Sequence, residues 1–472
     1  MSLWTIAWRN ITQRGTASAL TAFSMSLGVL LVTAVLSVHG LIAKSFMDNS
    51  TLGYDLIAGA KGGKLQLVLN TVFYLSEPVE NLPYSFYQEF LTAEQQAAEL
   101  KDMSVENRGK LEDGYYASDT SLAIPVCLGD YYKRFRVIGT LPKLFDDITL
   151  DYENNTGYDF SEGRNFEIWN EENGYFEAVV GSIVANETGL KIGDKIVATH
   201  GSSDENADVH DDSPFILVGI LKSSGTPNDR AVFVNMEGFY LMADHSKPVE
   251  GDEEAVASEN EAGVKAKRKP LPLKNREVTA ILIKTASPFA PIAITNQVNE
   301  GNVAQVVQPI MEIFALFKVI VDPIKTVLLV LTIIICFVSG ISILVSIYNS
   351  MSERKHDIAV MRALGASRKA VMGIVLLESI LLSVGGGMLG WIGGHLMLGA
   401  FGPTIEAKTG VAIGFFDIAP SSKALDAYLP FGIMISTEFL IIPGLILLAI
   451  IVGFLPAYTA YKTDVANALN NS

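Results

Sequence analysis

Cysteine is almost absent from this chain. Only Cys127 and Cys336 occur in 472 residues, one in an acidic region and the other in an apolar run. The two do not pair, so no disulfide framework organises the fold. Catalytic signatures are absent too: there is no H-E-x-x-H metal motif and no triad arrangement. The nearest approach to a phosphate loop is Gly59-Ala-Lys-Gly-Gly63-Lys64-Leu65, and it fails twice. Ala58 stands where the first glycine is needed, and Leu65 stands where a hydroxyl would hold magnesium. Nothing here could hydrolyse ATP, so the expectation is a chain that is not itself an enzyme and binds no cofactor. Charge is scarce as well, at 18% of residues, where soluble proteins carry about a quarter. Acidic residues are missing altogether from positions 1–43.

Long apolar runs take up the room that charge leaves. Residues 18–41 hold 24 consecutive positions without Lys, Arg, Asp or Glu, and 326–348 hold 23. About 20 residues cross the hydrocarbon core. A signal-peptide apolar region has only about 7–15, so the first run, bounded as 18–43, is expected to stay as a membrane helix. Positions 371–401 form a third run that contains one carboxylate, Glu378, and 439–461 form a fourth. Arg9 and Arg14 precede the first span. In 349–370, Arg354, Lys355, Arg362, Arg368 and Lys369 stand against Glu353 and Asp357. The positive-inside rule places both termini and this connector in the cytoplasm. Within 1–17, Trp4, Trp8 and Ile11 share a helical face, as in an amphipathic helix at headgroup depth.

Residues 44–318 carry a net charge of −18. So acidic a region does not suit nucleic acid. Clusters of β-branched residues near 121–127, 135–138, 179–184, 195–199, 215–221, 231–234 and 278–283 alternate with turn residues, and Leu91–Lys101 reads as a helix. That is an α+β pattern. Positions 246–277 are polar and read as a flexible surface loop. Residues 303–325 show helical periodicity through Val306, Ile310, Ile313, Phe317 and Ile320, so 319–348 should comprise the end of a stalk and the second span. The expected fold is an α-helical membrane protein with four transmembrane helices and a large α+β extracytoplasmic domain inserted between helices 1 and 2. An extracytoplasmic loop at 402–438 and a cytoplasmic tail at 462–472 complete it.

The connector carries its own punctuation. Ser350-Met-Ser-Glu353 fits a capping box. Ile358, Met361 and Leu364 make one apolar stripe. Gly365 suits a left-handed helix end, and Ser367 can cap the next helix. Elsewhere, Gly386, Gly390 and Gly394 share one face of the third span, which lets helices approach closely and is expected to serve a dimer contact. Glu378 is costly in lipid and should face protein through an inter-helix hydrogen bond or ion pair. His200, Asp204, Asp208 and His210 are residue types that ligate metal, but their spacing fits no defined site and favours a solvated loop.

Ser352-Glu-Arg-Lys-His-Asp-Ile-Ala-Val-Met-Arg-Ala-Leu-Gly-Ala-Ser367 resembles the signature of the FtsX/MacB-like permease family of ABC transporters. Trp8-Arg9-Asn10-Ile11 is similar to that family's start. The stretch from Val180-Gly-Ser-Ile-Val-Ala-Asn186 to Gly189-Leu-Lys-Ile-Gly193-Asp194 resembles its periplasmic core domain. The resemblance implies a mechanotransmission permease of a bacterial inner membrane, with an FtsX-like permease domain over about 326–465. It implies a second permease copy, identical or not, and a separate cytoplasmic ATPase that holds ATP and Mg. Glu353, Arg354, Ile358, Met361, Arg362, Leu364 and Gly365 would couple to that ATPase. Membrane lipid and a periplasmic adaptor or acceptor protein are the other implied partners. A hydrophobic, peptide-like or lipoprotein cargo follows; the alternative is a transmitter that activates an extracytoplasmic cell-wall hydrolase.

Overall fold

The computed structural model describes residues 2–50, 52–103, 110–150, 157–200, 214–242, 270–409, 411, 413–421 and 436–462, apart from the side chains of 200, 352, 353, 355, 407 and 408. The chain forms two compact units. One joins Met1–Ser45 to Phe317–Ser472, and the other is Phe46–Leu316.

The first unit is helical: α1 (Leu3–Gln13), α2 (Gly15–Asp48), α3 (Asp322–Glu353), α4 (Lys355–Ala363), α5 (Arg368–Thr409) and α6 (Ile441–Lys462). Among the described residues, four stretches are long and apolar enough to cross a membrane: Gly15–Asp48, Pro309–Met351, Arg368–Glu406 and Thr437–Lys462. Their outward faces keep large apolar side chains such as Val327, Ile333, Phe337 and Ile451 exposed. In water that would be untenable; in a bilayer it costs nothing. In α1, Ser2 caps the start and Ala7 is buried, while Trp4 and Trp8 stay exposed.

The second unit is α+β. Its main sheet runs, edge to edge, Ala304–Val307, Leu56–Ala60, Ala280–Thr285, Thr120–Tyr132, Phe135–Thr140, Ala231–Asn235, Glu177–Val180, Phe215–Leu221 and Phe160–Gly163. The pairings of Ala231–Asn235 with Phe135–Thr140 and of Glu177–Val180 with Phe215–Leu221 are parallel; the others along this path are antiparallel. Runs such as Ala-Val-Phe-Val-Asn at 231–235 are apolar on both faces because both faces are buried. At one edge, the Asn299 side chain donates to the Val306 carbonyl and accepts from the Val306 N–H. It thereby occupies backbone groups that an edge strand would otherwise leave open.

Three expectations change here. The stalk does not begin at 303: Ala304–Val307 is a strand paired with Leu56–Ala60, and helix starts only at Pro309. The spacing of Val306 and Ile310 fits a strand followed by a helix as well as one helix. At Phe317–Val321 that helix passes through five π-helical residues before α3. The cluster at 179–184 divides at Gly181 into the end of a strand and the helix Ser182–Thr188. Arg276, placed by its neighbours in a polar surface loop, is 1% exposed. Its guanidinium forks onto Glu237, with one bond at 2.9 Å, and lies over the rings of Tyr84 and Tyr240. A charge can be buried there because it is paired and stacked. Positions 246–269 of that loop lie outside the described residues.

Candidate functional site

The connector between α3 and α5 is built from a long helix that fails to stop where its sequence first permits. Ser350 lies inside α3, which runs on to Glu353, so the expected capping box does not form. A helix already propagating from a membrane span adds a residue at little cost, whereas a new nucleus is expensive. The break comes at Arg354, whose N–H still bonds the Ser350 carbonyl at 3.0 Å. Then α4 starts at once.

The stop of α4 is sharper. Gly365 has φ +102°, a backbone that suits glycine. Its N–H bonds the Arg362 carbonyl at 3.1 Å, and the Ala366 N–H bonds the Met361 carbonyl at 3.0 Å. Together these bonds make a Schellman motif. The Ser367 hydroxyl then accepts from the Ala370 N–H at 3.2 Å and caps α5.

The apolar stripe is divided between two surroundings. Ile358 is 4% exposed and packs in a cluster with Met25, Ile347, Met351 and Val371. Met361 packs against the same cluster and is half-buried. Leu364 is 83% exposed. The outward face is instead His356, Asp357, Val360 and Leu364. Ile358 is thus corrected from a docking residue to an anchor, because its side of α4 turns into the bundle.

Arg354 also turns inward. Its Nη2 donates to the Asn10 carbonyl of α1 at 3.3 Å, and the Arg14 Nη2 donates to the Ser346 carbonyl at 3.0 Å. Glu378 is 4% exposed, accepts a hydrogen bond from the Asn10 side chain and faces both guanidinium groups. This inter-helix node ties α1, α3 and α5 at the connector end of the bundle. Sequence reasoning passed over Asn10 and Arg14 as partners of Glu378, although Asn10 stands in the quoted Trp8-Arg9-Asn10-Ile11.

The glycine stripe is filled within one chain. A Cβ at Gly386 would lie 2.6 Å from the Ala22 carbonyl oxygen, and one at Gly394 would lie 2.9 Å from Thr33 Cβ. A Cβ at Gly390 would run into the Ser26 carbonyl. All three partners belong to α2. The expected dimer contact through these glycines is therefore corrected to an α2–α5 contact, made possible by the missing side chains.

Other predicted positions carry less. Arg362 is half-buried, and the Glu353 side chain lies outside the described residues. The backbone of Thr199–His200 forms a short strand, while the His200 side chain, Asp204, Asp208 and His210 lie outside the described residues. Among the described residues, no group of three His, Cys, Asp or Glu is placed to hold a metal ion. Cys127 is buried in the soluble unit beside Tyr240, and burial pushes its thiol up to about 12, so it is inert.

Residues 18–300 match the MacB-like periplasmic core domain, and residues 329–465 match the FtsX-like permease C-terminal domain. The chain is similar to an uncharacterised ABC transporter permease of Methanocaldococcus jannaschii. The two are 23% identical over 416 residues, which is 83% of this chain and 82% of the relative. The chain belongs to the ABC transporter permeases that combine a MacB-like periplasmic core domain with an FtsX-like permease C-terminal domain.

Proposed function

We propose that this chain is the membrane subunit through which a separate cytoplasmic ABC ATPase moves the soluble unit, and that the motion exports or extracts a hydrophobic, peptide-like or lipoprotein substrate. Membership of an ABC transporter permease family implies an ATPase partner, and ATP and Mg would sit on that partner. A second permease copy would complete the assembly, with both termini in the cytoplasm and the soluble unit outside.

The observation that carries this reading is α4. One residue separates it from α3, and a Schellman stop with a serine cap joins it to α5. Such joints leave no slack. A push on its outward face would pass into two membrane helices, and Ile358 would carry it into the bundle core. A loop of this length without punctuation would absorb the push instead.

Leu364→Asp is expected to abolish co-purification of the ATPase while leaving membrane insertion intact, because Leu364 is 83% exposed and contributes little to the chain's own packing. Ile358→Asp should act differently: it puts a carboxylate into the bundle core and should lower the yield of folded chain. Normal co-purification and undiminished ATP turnover with Leu364→Asp would refute the docking role.

A further inference from the structure

The end of the bundle opposite the connector holds a buried polar cluster that ATPase docking does not use. Glu438 is 3% exposed and His395 is 1% exposed. Glu438 Oε1 accepts from the Ser37 hydroxyl at 2.6 Å and from the Ala419 N–H at 2.7 Å. Its Oε2 accepts from Trp391 Nε1 at 2.9 Å and lies 3.0 Å from His395 Nε2. On the other side of the ring, Nδ1 lies 2.8 Å from the Phe415 carbonyl oxygen. The cluster thus joins α2, α5, the loop 413–421 and the turn Thr437–Leu440 that opens the last span. The loop lies close along α5: a Cβ at Gly399 would meet Phe415 Cβ at 3.4 Å.

The roles of donor and acceptor fix how many protons the cluster needs. A carbonyl oxygen only accepts, so Nδ1 must carry hydrogen. That uses the single hydrogen of a neutral ring. The contact between Nε2 and Oε2 is a hydrogen bond only when one of them carries a further proton. We infer that His395 and Glu438 together form a proton-binding site, and that the bound proton fastens the loop 413–421 to the bundle.

Loss of that proton cannot be absorbed locally. With hydrogen kept on Nδ1, the lone pair of Nε2 faces a carboxylate. With hydrogen moved to Nε2, the lone pair of Nδ1 faces the Phe415 carbonyl. Either way a link is lost and a net negative charge stays buried. Both ways out weaken the hold on Phe415 or Ala419. Among the described residues nearby, none takes over the proton. On α2 the contact is the Ser37 hydroxyl, and His39 is engaged with Asp322 at 3.0 Å. On α5 it is the Trp391 N–H. In the loop, the Asp417 carboxylate accepts from the Gly414 N–H and is exposed.

The test uses the full-length chain in detergent, with Ala419→Cys labelled by a maleimide. Ala419 is 2% exposed, and Phe416→Cys, at a position 86% exposed, reports the intrinsic pH dependence of the reagent. The parent chain gives the background from Cys127 and Cys336. The ratio of the two labelling rates is followed from about pH 5.5 to about pH 9.5. Because opening is linked to release of one proton, the ratio should rise by up to about tenfold per pH unit while the closed state holds the proton and the open state has released it, and should level off once the closed state has lost it too. His395→Gln can still donate to Glu438 but does not titrate, and should give a flat ratio. Ser37→Ala removes a neutral donor and should keep the rise. A flat ratio in the parent background, the same rise in His395→Gln, or its loss in Ser37→Ala would each overturn the site. If His395→Gln does not fold, Glu438→Gln replaces it with the same expectation.

Discussion

Two buried carboxylates stand at opposite ends of the helical unit, and they are held in different ways. Glu378 faces Arg354 and Arg14 and is hydrogen-bonded by Asn10. Its partners are guanidinium groups, which stay charged at any pH a cell meets. Glu438 has three neutral donors and one histidine. The first end is balanced by permanent charge, and the second by a proton that can leave. The same residue type thus makes a fixed joint near the connector and a releasable one at the other end. Under the proposed function, a fixed joint suits the end that is pushed, and a releasable one suits the end where a loop is to be let go.

The largest effect should come from stripping the fixed end. Arg14→Leu combined with Arg354→Leu leaves Glu378 buried among uncharged neighbours. Leaving a buried, ionised carboxylate without countercharge costs about 3–5 kcal/mol. The midpoint of thermal unfolding in detergent should fall at neutral and alkaline pH, and the fall should shrink on acidification as the stranded carboxylate takes up a proton. An unchanged midpoint at every pH would show that Glu378 does not depend on Arg14 and Arg354, and would erase the contrast between the two ends.

A smaller effect comes from a third carboxylate, in the soluble unit. Glu177 is fully buried. Burial alone would raise its pKa, but hydrogen bonds from Arg164, Asn173 and the Glu167 N–H hold it below the ordinary carboxylate range. A depressed pKa stabilises the fold above the unfolded-state value, and that contribution is lost as pH falls through the folded-state value. Glu177→Gln should therefore be less stable than the parent at neutral pH, and the difference should shrink on acidification. A constant difference down to strong acid would show that Glu177 acts through packing alone.

What could be read in advance follows from what is local. Gly365 and Ser367 mark the end of one helix and the start of the next because a positive φ and a cap are properties of one or two residues. The uncharged runs at 18–41 and 326–348 reveal membrane helices because lipid acts on every residue alike. The apolar stripe of α4 was legible as a stripe, but periodicity does not say what it faces, and Ile358 and Leu364 ended in opposite surroundings. Ser350 to Glu353 has the residues of a cap, yet the cooperativity of a long helix overrides them. The glycine stripe was correctly placed on one face, and its partner, α2, lies more than 350 residues earlier in the chain. His395 and Glu438 left no signal: they are 43 residues apart, and neither stands in a motif.

Under the proposed function, the outward face of α4 is where a driving subunit engages. A photo-reactive amino acid at Leu364, Val360 or Ile358, each in the full-length chain in native membranes, tests this most directly. Leu364 and Val360 should crosslink to an ATPase subunit, and Ile358, which is 4% exposed, should crosslink within its own chain. An ATPase crosslink from Ile358 with none from Leu364 would contradict the account.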